Sequence, residues 1–303
     1  MGFTWEKITY RGSDAAEITG YEGRLPDLEI PEKMEGLPVR SIAAHAFSGR
    51  SDIRSVVLPE SLVTMHLFAF YNCPRLETME LYNSADDYYD GVIRQCPLLG
   101  TITVRCVQPE NYALIRSMLQ DVDVTLTFRL LDAQGKERVK LTFPEYVNEA
   151  KEDTMARAIH FSIEGAGMAY RECVGKKALD LAGYDRLLGR LTDYDFDVAA
   201  RIAFGRLLYP EGLTEQAEEG YESFLRDNDE KTLRFLIRED EKHSCMEEIR
   251  LMTERSLIGE EGLKTALEEA SELGRSEVCS VLMEYRAQSG SGSGAGETLS
   301  LDW

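Results

Sequence analysis

Ile53-Arg54-Ser55-Val56-Val57-Leu58-Pro59, Leu76-Glu77-Thr78-Met79-Glu80-Leu81-Tyr82 and Leu99-Gly100-Thr101-Ile102-Thr103-Val104-Arg105 are the same text written three times, 23 residues apart. Ile53, Leu76 and Leu99 fall in one column, Val56, Met79 and Ile102 in a second, and Leu58, Leu81 and Val104 in a third. The same step carries Ala46-Phe47 to Ala69-Phe70 and Val92-Ile93, and Cys73 to Cys96. Several apolar columns in phase mean that each copy cannot bury its apolar face alone and stacks on its neighbours as a solenoid. Alternation within each copy makes Ser55 to Leu58, Thr78 to Leu81 and Thr101 to Val104 short strands. An earlier coil is legible in Leu28-Glu29-Ile30-Pro31, followed by an insertion of about five residues at Glu35 to Val39, giving about four coils.

Working outward, Phe3 to Tyr10 and Ala16 to Gly20 read as two strands around Arg11-Gly12-Ser13-Asp14, a cap for the open end of the solenoid. Pro109 to Leu119 has helical periodicity. Val122 to Leu131 and Arg138 to Phe143 alternate around Asp132-Ala133-Gln134-Gly135 as a hairpin. These would close a first domain, residues 1–143, with its repeats at about 24–106 and its capping helix and hairpin at 107–143. From Glu145 to Arg286 the reading is almost wholly helical, broken at Gly165 to Gly167, Gly183, Pro210-Glu211-Gly212 and Asp227-Asn228. This helical domain, 144–288, ends in a second period. Lys231-Thr232, Leu233, Ile237, Cys245 and Ile249 step by 33 onto Lys264-Thr265, Ala266, Ala270, Val278 and Leu282, the ankyrin length. Residues 289–303 open with SGSGSGAG, a flexible tether by composition, and a tail ending in Trp303.

Ile30-Pro31, Gly36-Leu37-Pro38-Val39-Arg40-Ser41-Ile42, Ala46-Phe47, Leu58-Pro59, Ala69-Phe70 and Asn72-Cys73 resemble the BspA-like leucine-rich repeat family of bacterial and protist proteins. The resemblance covers residues 20–106. It implies that Ala-Phe packs the convex side, that the cysteines stack inside, that the Ile-Pro or Leu-Pro pair closes each strand, and that the array serves as a binding surface. The third coil departs from the pattern, with Asp86-Asp87-Tyr88-Tyr89-Asp90 where its predecessor has Thr64 to Leu67. Residues 231–286 resemble ankyrin helix pairs, including the turn at Gly274. The whole also resembles gut-bacterial proteins that join such a helical region, with a G-x-G-x-x-Y-R stretch at Gly165 to Arg171, to these repeats. The expected fold class is therefore α+β: a leucine-rich-repeat β solenoid followed by an all-helical, partly ankyrin-like α-solenoid.

Composition narrows function more than it names it. The 34 Lys and Arg stand against 54 Asp and Glu, and a formal charge of −20 repels nucleic acid and anionic lipid while favouring a protein partner with a basic surface. No apolar run approaches the roughly 20 residues of a membrane span, and the start lacks a leader pattern, so the expected place is the cytoplasm. The six cysteines show no metal-ligand spacing and are read as reduced thiols. No metal and no cofactor is expected. Asp86, Asp87 and Asp90 supply oxygens but not the spacing of a calcium loop, and read as a solvated face.

His45, His66, His160 and His243 are the ordinary candidates for a general base. None has an evident nucleophile and orienting partner; Cys173, thirteen residues after His160, lies in no catalytic signature. The chain is accordingly read as not an enzyme. Its function is read as a protein-protein interaction scaffold or adaptor using the concave strand surface. Side chains alternating with the buried columns would meet the partner: Val57, Thr78, Glu80, Tyr82, Thr101, Thr103 and Arg105, with Tyr88 and Tyr89 as aromatic contacts. The alternative is an enzyme or a small-molecule or anion sensor at the junction of the two domains, around Gly165 to Arg171, with Arg171 on the anion.

Overall fold

The computed structural model of the chain describes residues 2–153, 158–191, 193–239 and 244–291. Contacts divide it into two compact units, residues 1–198 with 209–213, and residues 199–208 with 214–303. The first unit therefore runs well past the expected boundary at Phe143.

That unit opens with β1 (Gly2–Tyr10) and β2 (Ser13–Glu22), an antiparallel pair turning through Arg11 and Gly12, both at positive φ. There follow β3 (Asp27–Glu29), β4 (Lys33–Met34), β5 (Leu37–Ile42), β6 (Ser55–Val57), β7 (Thr64–Met65), β8 (Thr78–Tyr82), β9 (Asp87–Tyr88) and β10 (Thr101–Arg105). The helix α1 (Ala113–Asp121) and the pair β11 (Leu126–Leu131) and β12 (Glu137–Phe143) complete the solenoid. Glu35 and Gly36, at positive φ, turn β4 back on β5, which accounts for the insertion in the first coil.

The first three coils each give one strand to each of two sheets, where one strand per coil was expected. One sheet runs β12-β11-β10-β8-β6-β3 and the other β1-β2-β5-β7-β9. The third coil keeps its place despite its acidic text, because Asp87-Tyr88 pairs in parallel with Thr64-Met65. The 23-residue columns are the core: Ile53, Leu76 and Leu99 are buried, as are Val56, Met79 and Ile102, and Phe47 stacks on Phe70 at 5.0 Å. The thiols of Cys73 and Cys96 each donate, at 3.2 Å, to the carbonyl 26 residues earlier, Phe47 and Phe70. Two further columns are conformational. His45, Phe68 and Gly91, and Gly49, Asn72 and Gln95, all take left-handed φ, because the chain turns the same corner in every coil.

At the C-terminal end each of the two stacks is closed by a borrowed side chain. His45 and Phe47 donate their amides to Leu67 and Ala69 of the next coil, and Phe68 and Phe70 to Asp90 and Val92. The corresponding Gly91 and Ile93 donate instead to the carboxylate of Asp121, at 3.0 and 3.4 Å, so its two oxygens stand in for the carbonyls of a further coil. On the other sheet, the Tyr184 hydroxyl accepts from the Thr142 amide at 2.9 Å and donates to the Thr142 carbonyl at 2.6 Å, occupying the free edge of β12. Tyr184 is buried, so Tyr184→Phe leaves both backbone groups unsatisfied. It is expected to cost about 2 to 4 kcal/mol, read as a lower thermal midpoint with faster amide exchange at Thr142.

Helix was expected after Glu145, but β13 (Val147–Asp153) and β14 (Ala158–Glu164) form an antiparallel pair. Ile159, Phe161 and Ile163 alternate with period two, and their β-branched and aromatic types favour a strand. The short helices α2 (Gly167–Glu172) and α3 (Leu181–Asp185) follow, then α4 (Phe196–Leu208).

The second unit is helical: α4 from residue 199 on, then α5 (Glu215–Asp227), α6 (Asp229–Arg238), α7 (Met246–Glu254), α8 (Glu260–Glu272) and α9 (Ser276–Ser291). Helix α6 packs on α8, α7 on α9, and α8 on α9. The 33-residue columns Leu233 with Ala266, Ile237 with Ala270, and Ile249 with Leu282 are buried in both copies. The Asp229 carboxylate accepts from the Gly259 amide at 2.7 Å, tying the start of α6 to that of α8.

Candidate interaction surface

The register of the sheet β12-β11-β10-β8-β6-β3, parallel except for β11 with β12, places outward side chains in rows. Glu29 lies beside Val57, then Glu80, Thr103, Arg129 and Lys140. Alongside runs Asp27, Ser55, Thr78, Thr101 and Thr127, and at the strand ends Tyr82 lies beside Arg105. Val57, Thr78, Glu80, Tyr82, Thr101, Thr103 and Arg105 are thus brought to one face. Glu29, Arg129 and Lys140 extend the row and were missed. The signal was present, since Phe128 and Leu130 repeat Ile102 and Val104 at 26 residues, the step being lengthened where α1 intervenes.

The row is electrically polarised. Asp27, Glu29 and Glu80 lie on the first three strands, and Arg105, Arg129 and Lys140 on the last three. Bonds hold it in shape: Ser55 donates to Asp27 at 2.7 Å, Arg105 Nε to Glu80 at 2.7 Å and Arg129 Nε to Glu137 at 3.0 Å. The hydrogen bond to Glu80 holds the Arg105 guanidinium above its ordinary pKa.

Tyr88 and Tyr89 are not part of this face, because they follow the other sheet. Tyr88 is half-buried: its hydroxyl donates to Asp121 at 2.5 Å, and burial, with the Asp121 charge, pushes its pKa up. Tyr89 is 45% exposed, with its ring 5.0 Å from that of His66.

The anion-site expectation at Gly165 to Arg171 is corrected. Arg171 is only 6% exposed and donates to the carbonyls of Pro144, Gly167 and Val124, with its guanidinium 4.8 Å from the centre of the Tyr146 ring. Burial lowers its pKa to about 10, which leaves it charged at neutral pH but committed to backbone oxygens. A Cβ on Gly167 would lie 2.2 Å from the Pro144 carbonyl oxygen, so that glycine serves close backbone packing. The segment is a joint within the first unit.

The catalytic candidates are likewise dispersed. Burial pushes the Cys173 thiol up to about 11, away from the thiolate a nucleophile needs. The side chain of His160, residue His243 and the tail from residue 292 lie outside the described residues. His45 stacks on Phe68, and His66 Nε2 lies 3.4 Å from Glu17. Among the described residues no three His, Cys, Asp or Glu side chains gather as a metal site. Among the same residues no helix is long and apolar enough to cross a membrane.

Residues 21–133 match the model of the BspA type leucine-rich repeat region, in six copies. That match spans the two-sheet solenoid and the start of its closing hairpin. Among solved structures, the chain is similar to the leucine-rich repeat protein of T. pallidum, at 19% identity and TM-score 0.25, over 33% of this chain and 68% of that one. It is also similar to a leucine-rich repeat protein of Bacteroides ovatus, at 16% identity and TM-score 0.23, over 35% of this chain and about half (48%) of that one. No curated protein matches the chain.

Proposed function

We propose that this chain, whose N-terminal region carries BspA-type leucine-rich repeats, is a cytoplasmic bacterial scaffold or adaptor without catalytic activity. It binds another protein through the outward strand row, the concave surface of the sequence reading. The observation that supports this most is the polarised row: six strands in register present Asp27, Glu29 and Glu80 at one side and Arg105, Arg129 and Lys140 at the other. Complementary charge selects a partner and its orientation more than it adds affinity. The acidic half fits the basic partner surface expected from a chain of charge −20. Val57, 36% exposed, and Tyr82 supply apolar contact between the charges. In this reading the helical region is an ankyrin-like α-solenoid whose stacked pairs, α6–α7 and α8–α9, offer a second protein-binding surface.

The test is affinity purification of tagged protein from its native cytoplasm beside a Glu80→Arg, Tyr82→Ala, Arg105→Glu variant. The two charge changes exchange partners across the 2.7 Å ion pair, so folding is retained while the charges at the centre of the row are interchanged. A partner enriched by the wild type and lost, by about tenfold or more, from the variant is the expected result. Equal recovery would remove the strand row from the function, and recovery of no specific protein would end the adaptor reading.

A further inference from the structure

The second sheet ends at a corner that the repeat pattern does not require to be apolar. Strands β5, β7 and β9 stop at Ile42, Met65 and Tyr88, and the next three residues of each coil stack as Ala43-Ala44-His45, His66-Leu67-Phe68 and Tyr89-Asp90-Gly91. The stacking is fixed by backbone bonds: His45 donates to the Leu67 carbonyl at 3.1 Å and Phe68 to that of Asp90 at 3.4 Å. Rings fill it across the coils, His45 on Phe68 at 5.3 Å and His66 on Tyr89 at 5.0 Å.

The core residues immediately beyond this corner, Phe47, Ala69, Phe70, Val92 and Ile93, are buried. Leu67 and Tyr89 instead stand 42% and 45% exposed. Ala44 and Asp90 occupy the Leu67 position in the adjoining coils, so stacking there needs no leucine. Exposed apolar and aromatic residues grouped in one place mark a contact surface rather than scattered surface exposure. The same stretches carry acids: Glu17 beside His66, and exposed Asp86, Asp87 and Asp90, with Arg94 bonded to Asp90 as the answering cation.

We propose that this corner docks a basic segment of another protein, seating one large apolar side chain on Leu67 and Tyr89 while flanking Lys or Arg residues meet Glu17, Asp87 and Asp90. Charge complementarity selects that occupant, and the His66 and Phe68 rings give its apolar anchor a floor. The corner follows strands of the other sheet, and it neither uses nor needs the strand row's side chains.

The test is fluorescence anisotropy of the full chain with a labelled peptide that has a Leu-Trp centre between pairs of Lys and Arg. Matched peptides carry Glu and Asp at the flanks, or Gly-Ser at the centre. Wild type is expected to bind the basic Leu-Trp peptide at least about tenfold more tightly than either control. A Leu67→Ser, Tyr89→Ser variant should weaken that binding by about tenfold, and Leu67→Lys, which leaves Tyr89 in place and adds a like charge, should do the same. The strand-row variant should bind within about twofold of wild type, so the two surfaces fail separately. No binding by wild type, equal binding of the Gly-Ser peptide, or undiminished binding by the Leu67 variants would overturn the proposal. The last result would assign the attraction to the chain's general negative field.

Discussion

Asp121→Ala is expected to lower the thermal midpoint of the first unit by about 10 °C, from a loss of about 4 kcal/mol. The alanine removes the acceptor of four donors at once: the Tyr88 hydroxyl at 2.5 Å, the Gly91 and Ile93 amides at 3.0 and 3.4 Å, and Arg94 at 3.5 Å. The two amides have nowhere else to turn, since Asp121, Gly91 and Ile93 are all buried, whereas Arg94 keeps its bond to Asp90. A carboxylate in the last turn of α1 opposes the helix dipole, so it is not there for the helix's sake. Its work is to end the sheet. Asp121→Asn should be nearly as costly, because one of the two oxygens becomes an NH2 group facing a donor. The local readout is amide exchange, where Gly91 and Ile93 should lose protection before the β8–β10 ladder does. A shift below about 2 °C with both amides still protected would refute the capping role.

What the chain shows in its letters follows from the range of the interactions involved. Columns such as Val56, Met79 and Ile102 are legible because like side chains stack at a fixed step, and the strands carrying them extend over three to five residues in each coil. The second sheet is nearly silent: β7 and β9 have two residues each, too few to show alternation. The left-handed column His45, Phe68 and Gly91 is invisible by residue type, because its three members share no character and Phe68 is not a residue that favours positive φ. Phe68 holds that conformation because its neighbours in the stack fix it. The end caps, Asp121 and Tyr184, pair with backbone 28 to 42 residues away and carry no local pattern. Of the candidate contact residues, those on long strands, such as Glu80 and Arg105, were placed by alternation. The bond from Tyr88 to Asp121 has no local signal, because an acidic, aromatic run looks the same whether its hydroxyl faces water or Asp121.

The glycines at 165 and 167 show how one spacing serves two kinds of chemistry, and Gly167→Ala separates them. A methyl group there would stand 2.2 Å from the Pro144 oxygen, 2.5 Å from the Glu145 oxygen and 2.8 Å from the Glu145 carbonyl carbon, all backbone atoms that cannot swing aside. Relieving the clash must move the 144–145 peptide away from α2, and that peptide's Pro144 oxygen also receives Arg171. Overpacking and the strained carbonyl bonds together are expected to cost about 3 kcal/mol, a fall of about 8 °C in the first unit's midpoint. Gly189→Ala, with open space around its Cβ, should stay within about 0.5 kcal/mol of wild type. A glycine kept for close approach to a phosphate behaves otherwise: alanine would leave the unliganded midpoint in place and remove only a nucleotide-induced rise. A Gly167→Ala protein that melts with wild type, and loses a stabilisation that ATP or GTP confers on wild type, would replace the packing joint with a nucleotide loop. A midpoint that falls with no nucleotide present leaves Arg171 and Gly167 as the two halves of one buried joint, holding β14 and α2 against the chain at Pro144.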